Sequence, residues 1–267
     1  MKMKAYILYL GDMYSDSTYS VLADTYANAA NPDAPHRMGH TPSSAILIEH
    51  PEAGWIIYDT GMPDYPQGVW TNSIIDAVII EKPEGTRMVE QLALVGVKPE
   101  DIKYVINSHM HMDHTGNDHL FAETAEFFVS KEDAAQAYRM VLGSSNREEH
   151  GWYIKDEVLL NRKKVTYIDR DTELFPGVEV VLLPGHTPAV MGLVLHLEGG
   201  TIIFTSDASN EQRNFDGMLP GGPYDSLGYV ESIRKLKDLQ KKHNAKVVFS
   251  HDSDQFAQIK KAPGFFE

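Results

Sequence analysis

Three imidazoles and a carboxylate fall within six residues of this chain, at His109, His111, Asp113 and His114, directly after the apolar run Tyr104-Val105-Ile106. Neutral imidazole is the commonest protein ligand for zinc and similar ions, and a carboxylate adds negative charge that offsets a divalent cation. In an extended or turning segment, His109, His111 and Asp113 alternate with Met110 and Met112. The polar groups then project one way while the methionines enter the core. The first two histidines can grip one metal. Asp113 and His114, adjacent and beyond the turn, are poorly placed to complete the same tetrahedron, which predicts a second metal beside the first. A surface histidine cluster is the bland alternative, and paired ligand spacing makes it the weaker one.

The cluster alone supplies too few ligands, so the elements that launch it matter. Lys103 to Asn107 reads as a strand, and its end delivers His109. Val178 to Leu183 is a second strand, running into Pro184-Gly185-His186-Thr187-Pro188. Gly192 to Leu197 and Thr201 to Thr205 form a hairpin around Glu198-Gly199-Gly200 that finishes at Ser206-Asp207-Ala208. A helix over Tyr229 to His243 follows, with Val230, Ile233, Leu236 and Leu239 at helical spacing. Ala245 to Phe249 then leads into Ser250-His251.

The first half echoes this order. Ala45 to Glu49 and Trp55 to Tyr58 make a hairpin that ends in Asp59, a helix spans Arg87 to Val97, and the strand to Asn107 runs into Ser108-His109. Both halves read as hairpin, aspartate, helix, strand, Ser-His. This pattern predicts two similar α/β halves facing each other across a common edge. Buried strands that end together deliver their terminal residues to one rim. Collected there are His109, His111, Asp113, His114, His186, Asp207 and His251, enough for two divalent ions. An economical division puts His109, His111 and His186 on one ion and Asp113, His114 and His251 on the other, with Asp207 bridging. A water held between two cations is available as hydroxide near neutral pH.

Residues 11–42 are polar and turn-rich, with Tyr14, Tyr19, Tyr26, Pro32, Pro35 and Pro42, and read as a long loop or loosely helical excursion. Residues 62–82 hold an apolar segment of unassigned type. Asn117 to Phe121 begins a helix, Ala125 to Val129 is a strand, and Lys131 to Leu160 is helical, interrupted at Trp152 and Tyr153. This last segment reads as a lid or as a surface helix pair. His36, His40, His50, His119, His150, His196 and His243 lack a strand-end setting and are left out of the site, with His40 the nearest to inclusion. Tyr14, Trp70, Trp152, Met218 and Tyr224 are aromatic and methionine side chains in irregular segments, suited to an acyl or ring-shaped ligand.

Composition narrows the classes. With 267 residues, one domain over 1–267 can bury a substantial core. A formal net charge of −14, without a long Lys/Arg run, argues against a nucleic-acid partner. The absence of cysteine removes disulfides, thiolate metal sites and a cysteine nucleophile, leaving nitrogen and oxygen to hold any metal. Lys2 and Lys4 before Ala5 to Leu10 superficially suit a signal peptide, but the run is short, holds tyrosines and meets Gly11-Asp12. A buried first strand fits it better. No apolar stretch approaches a membrane span, so the expected location is the cytoplasm. A homodimer is the one protein assembly to look for.

These residues together resemble the metallo-β-lactamase fold superfamily, on the His-x-His-x-Asp-His signature over 109–114, Gly185-His186, Ser206-Asp207 and Ser250-His251-Asp252. The resemblance spans nearly the whole chain and implies an αββα sandwich with a dinuclear site at one edge of the paired sheets. Zn2+ is the first expectation for the ions, with Fe, Mn or Co as alternatives. It also makes Asp59 the aspartate that orients a ligand histidine. Tyr58-Asp59-Thr60-Gly61, Asn107 to His114, Asp207-Ala208 and Ser250-His251-Asp252 are most similar to the N-acyl-homoserine lactonase group.

The implied reaction is opening of a lactone ring by a metal-bridging hydroxide, with Asp113 relaying a proton to the departing alkoxide. Similar lactonases carry a tyrosine three residues after the bridging aspartate, where this chain has Asn210. Asn210 or Tyr224 is expected to take that tyrosine's part in holding the substrate carbonyl. The alternative is hydrolysis of another ester, thioester or amide, including β-lactams. Several β-lactamases of this fold use a cysteine ligand, and a glyoxalase II-like thioesterase carries a C-terminal helical domain. Nuclease relatives sit badly with the acidic charge, and a diiron oxygen-reducing relative needs an electron-transfer partner. A binding module without catalysis would leave an open metal position unused.

Overall fold

The computed structural model describes residues 2–267 except 23–26, 28, 30, 31 and 35. In chain order the first half holds β1 (Lys4–Asp16), β2 (Met38–His50), β3 (Gly54–Tyr58), α1 (Asn72–Ala77), β4 (Ile79–Glu81), α2 (Met88–Ala93) and β5 (Ile102–Asn107). There follow β6 (Glu126–Ser130), α3 (Lys131–Gly143), α4 (Lys155–Val158), β7 (Lys164–Ile168), β8 (Thr172–Phe175), β9 (Val178–Leu183) and β10 (Val190–Leu197). The chain closes with β11 (Gly200–Phe204), α5 (Gln212–Phe215), α6 (Ser226–His243), β12 (Lys246–Val248) and α7 (Ser253–Gln258).

The strands form two sheets, one of seven in the order β4-β1-β2-β3-β5-β6-β7 and one of five in the order β12-β11-β10-β9-β8. Strand alternation decides the layering. Ile46, Ile48, Ile56 and Tyr58 of the larger sheet meet Leu193, Leu195, Ile202 and Phe204 of the smaller in one inter-sheet core. Their neighbours Ala45, Leu47 and Ile57 face the other way, against Met88 and Leu92 of α2 and Ala134, Ala137 and Val141 of α3. Val194 and Ile203 likewise turn outward onto Tyr229, Ile233 and Leu236 of α6. The order is therefore helix, sheet, sheet, helix. Because both faces of each central strand are covered, these strands are apolar throughout and show no polar alternation.

The two halves share a topology. In the first, the β2-β3 hairpin is followed by α2 and by β5, parallel to β3; in the second, the β10-β11 hairpin is followed by α6 and by β12, parallel to β11. They differ where the chemistry lies. Asp59 stands one residue beyond β3, whereas Asp207 stands three beyond β11 in a short 3-10 turn over Ser206–Ala208. The two aspartates are thus not counterparts, which lets Asp59 lie beneath the rim while Asp207 reaches into it.

Several sequence expectations are corrected. Residues 11–42 are not one loop. Beyond a bulge between Tyr9 and Asp12, β1 pairs with β2 from Asp12↔Pro42 to Asp16↔Met38, so the hairpin arms reach well past the apolar run. Tyr26 and Pro35 lie outside the described residues. The helix expected over 87–97 keeps only Met88–Ala93, and Asn117 begins no helix but precedes a 3-10 turn over Asp118–Leu120. Lys131 to Leu160 is α3, a 3-10 turn over Arg147–Glu149, and α4. Helix α6 starts three residues earlier than its apolar spacing indicates, because the Asp225 side chain accepts from Leu227 N (3.0 Å) and caps it there. No helix among the described residues is long and apolar enough to cross a membrane.

Candidate dinuclear metal site

Strands β3, β5, β9, β11 and β12 all end at one edge of the sandwich, and each hands its next residues to the rim. The 109–116 segment is a compact turn and not a strand extension, since His114 N and Thr115 N both donate to His111 O (3.0 and 3.2 Å). It is pinned from three directions. Thr60 N donates to His114 O (2.8 Å), Met112 N to Trp152 O (3.0 Å), and Met110 N to the Asp133 carboxylate at the start of α3 (2.7 Å). Met110 and Met112 are buried in separate apolar clusters.

Below the turn, Asp118 accepts from Thr60 Oγ1 (2.9 Å), Asn107 Nδ2 (3.0 Å) and Arg162 Nη2 (2.8 Å), a buried polar anchor. On the opposite sheet, Gly185 permits the bend that presents His186. Its φ is +142°, and an added Cβ would stand 2.5 Å from the Tyr229 Cα of α6.

The structure brings the seven expected side chains together in three overlapping sets: His109, His111 and His186; His109, His114 and Asp207; and Asp113, His114 and His251. Within each set the ligand atoms lie within 4.8 Å of one another. Asp207 faces both sides, with Oδ2 3.3 Å from His186 Nε2 and Oδ1 3.2 Å from both His114 Nε2 and His251 Nε2. Asp113 Oδ2 is 3.6 Å from His114 Nε2 and from His251 Nε2.

Hydrogen bonding on the far side of the rings aims their other nitrogens inward. His114 Nδ1 is 2.8 Å from Asp59 Oδ2, His251 Nδ1 is 3.0 Å from Pro42 O, and His109 Nδ1 is 3.0 Å from Ser108 Oγ. Asp59 also accepts from Ser108 N (2.6 Å) and Ser108 Oγ (2.7 Å), while Ser206 Oγ donates to Ser108 Oγ (2.8 Å), tying the two halves together.

The inward atoms His109 Nε2, His114 Nε2 and Asp207 Oδ1 are buried without a hydrogen-bond partner among the described residues. Orphaned buried acceptors are costly unless something fills the space they surround, and a cation fits this nitrogen and oxygen set. Burial pushes His109 and His111 well below the usual imidazole range, keeping them in the neutral form that ligates. Burial opposes ionisation of Asp207, yet the His251, His114 and His186 rings outweigh it and hold the carboxyl well below its usual range. Asp207 is thus held as the carboxylate, the form that ligates a metal.

A cavity of about 310 Å³ opens above these groups, with His111, Asp113, His186, Asp207 and His251 among its lining. Its apolar wall includes Met13, Val78, Met112 and Trp152. Asn210 and Tyr224 both line it, Asn210 buried and Tyr224 at the exposed mouth. Of the five side chains expected to contact substrate, only Trp152 and Tyr224 do line it. Tyr14 alternates out of the site on β1, stacked on His40 (5.0 Å), while Met13 and Ser15 point in. Trp70 packs beneath with Met62, Ile74 and Met112, and Met218 is exposed elsewhere.

Sequence reasoning missed Met13, Ser15, Tyr19 and Tyr153 as cavity residues; a strand extended through residue 16 is the signal that would have found the first two. His40 is held by Asp12 (2.7 Å), His50 by Pro176 O (2.9 Å) and His150 by Ser144 O (3.0 Å). Neither these three nor His36, His119, His196 and His243 belong to the candidate metal sets.

The description "Metallo-beta-lactamase superfamily" matches residues 38–251 of this chain. An N-acyl homoserine lactonase of Bacillus cereus is 33% identical over 236 residues, covering 86% of this chain and 89% of the relative. The N-acyl homoserine lactonase AiiB of Agrobacterium fabrum (strain C58) is 29% identical over 283 residues, covering 100% of both. Among solved structures, an N-acyl homoserine lactone hydrolase with the product N-hexanoyl-L-homoserine bound at its catalytic metal center superposes with a TM-score of 0.83. It is 27% identical and covers 100% of both chains. With its sandwich, its rim of histidines and aspartates, and these relatives, the chain belongs to the metallo-beta-lactamase superfamily, among the proteins named N-acyl homoserine lactonases.

Proposed function

We propose that this protein is a dinuclear-metal hydrolase that opens lactone rings, with N-acyl homoserine lactones as its substrate class. The observation that carries the reading is the convergence of three candidate ligand sets, with orphaned nitrogen and oxygen atoms among them, at and beneath the floor of a cavity with an apolar wall. The names of the relatives supply the substrate class. His109, His111 and His186 would hold one ion and Asp113, His114 and His251 the other, with Asp207 shared between them. Zn2+ suits this set best, and Fe, Mn or Co share its preference for imidazole and carboxylate. When bound, the ions lower the pKa of water and stabilise charge developing on a carbonyl oxygen.

In the net reaction a water oxygen bonds to the lactone carbonyl carbon, and the ring C–O bond breaks with its electron pair going to the ring oxygen. The resulting alkoxide must gain a proton. Asp113, at the cavity floor beside His114 and His251, is the carboxylate placed to carry it there. Asn210 and Tyr224 offer an amide and a phenol from the walls, and Met13, Val78, Met112 and Trp152 give an acyl arm an apolar surface.

The test is a substrate panel of N-acyl homoserine lactones, simple γ- and δ-lactones, thioesters and a β-lactam, assayed with metal-reconstituted protein. Ring opening of the acyl homoserine lactones ahead of the others is expected. Turnover of the β-lactam or the thioesters alone would overturn the reading.

A further inference from the structure

One largely buried phenol lines the cavity without a hydrogen bond to any described residue. Tyr153 precedes α4 and is only 6% exposed, with its ring edge-on to His111, centroids 4.9 Å apart and planes at 68°. It lines the same cavity as His111, Asp113, His186 and Asp207. Its position is fixed: Trp152 O accepts from Met112 N (3.0 Å), Tyr153 N donates to His150 O (3.3 Å), and the ring packs with Met110, Ala137 and Val141. The hydroxyl nevertheless makes no hydrogen bond with any described residue. The phenols of Tyr19 and Tyr224 also reach the cavity, but these residues are 43% and 57% exposed and keep their water. A hydroxyl that opens into the cavity and bonds no described residue is free to bond a ligand oxygen there.

We infer that Tyr153 is a catalytic residue whose hydroxyl donates a hydrogen bond to the lactone carbonyl oxygen as that oxygen gains charge. The inference rests on the lactonase reading. Its geometry follows from the two sides of the site: Asp113 stands with His114 and His251, where the departing alkoxide takes its proton, and Tyr153 stands beside His111 in the other set. With the ring oxygen on the Asp113 side, the other oxygen of the ester group, the lactone carbonyl, lies toward Tyr153. A phenol is protonated at neutral pH, so it is a hydrogen-bond donor there. A donor already fixed in place stabilises developing charge without reorganising.

The experiment compares wild type with Y153F on an N-acyl homoserine lactone, together with metal content and thermal unfolding of both. We expect kcat to fall on the order of 10²-fold with KM little changed, because the bond is made in the transition state. Bound metal and unfolding temperature should match wild type, since the lost oxygen bonds no described residue and opens into the cavity. Unchanged kcat, or a rise in KM alone, would overturn the inference. So would loss of metal or of cooperative unfolding in Y153F, which would make the hydroxyl structural. If wild type itself opens no lactone, it is the functional reading that fails.

Discussion

Replacing Asp59 by Asn tests how the fold aims His114. Three donors converge on this carboxylate: Ser108 N on Oδ1 at 2.6 Å, with Ser108 Oγ at 2.7 Å and His114 Nδ1 at 2.8 Å on Oδ2. An amide has one acceptor oxygen and one donor nitrogen. If its oxygen takes the Oδ2 position, the new NH2 faces Ser108 N–H, and a buried donor clash costs about 1–3 kcal/mol. If it takes the Oδ1 position, the NH2 faces His114 Nδ1 and forces the ring proton onto Nε2, the nitrogen that points at the metal site. Neither flip restores the native pattern.

Asp59 has φ of 58°, and Asn tolerates this left-handed conformation, so D59N isolates the hydrogen bonds from backbone strain. In D59A a strain of about 1–2 kcal/mol adds to their loss. We predict that D59N holds metal about 10–100-fold more weakly than wild type, the usual cost of losing such a partner. Chelator competition measures this directly. Retention equal to wild type would refute the argument that Asp59 sets the tautomer of His114.

Other consequences follow from buried groups around the site. R162M removes the partner of Asp118, both side chains being nearly inaccessible, and should destabilise the protein to urea by about 3–5 kcal/mol; a loss under 1 kcal/mol would contradict the anchoring role. Burial pushes Asp133 up to about 7, against the Thr187 hydroxyl and the Met110 amide. An acid with a raised folded pKa contributes stability at low pH that is lost as pH climbs from about 4 to 7. Wild type should therefore lose more thermal stability than D133N between pH 5 and 8, and equal losses would show that Asp133 does not titrate in that window. W152A removes an apolar wall and should raise KM for long-chain acyl homoserine lactones by about tenfold while sparing short-chain ones; a uniform change across chain lengths would place the acyl arm elsewhere.

The layered fold and the rim are legible in the sequence because buried strands carry unbroken apolar runs and stop abruptly at polar residues. Leu183 to His186, Phe204 to Asp207 and Phe249 to His251 each show this switch, so the topology and its repeat can be read from local pattern. The 12–16 and 38–42 strand extensions are not legible, because Asp12, Ser15, Gly39 and Pro42 carry no strand signal and their pairing is enforced across the hairpin. That concealed the inward alternation of Met13 and Ser15 and made Tyr14 look like a substrate contact. Tyr153 is invisible for a related reason. Its place beside His111 depends on the Trp152 carbonyl accepting the Met112 amide, a link between segments forty residues apart.

On the proposed chemistry His109, His111, Asp113, His114, His186, Asp207 and His251 would hold two ions, and lactone opening would depend on both. The most direct measurement is the rate of N-acyl homoserine lactone hydrolysis as chelated protein is titrated with Zn2+. Activity should be absent without metal, rise with added ion and break at two equivalents per chain. Full activity at one equivalent, or hydrolysis that survives chelation, would contradict a two-ion site.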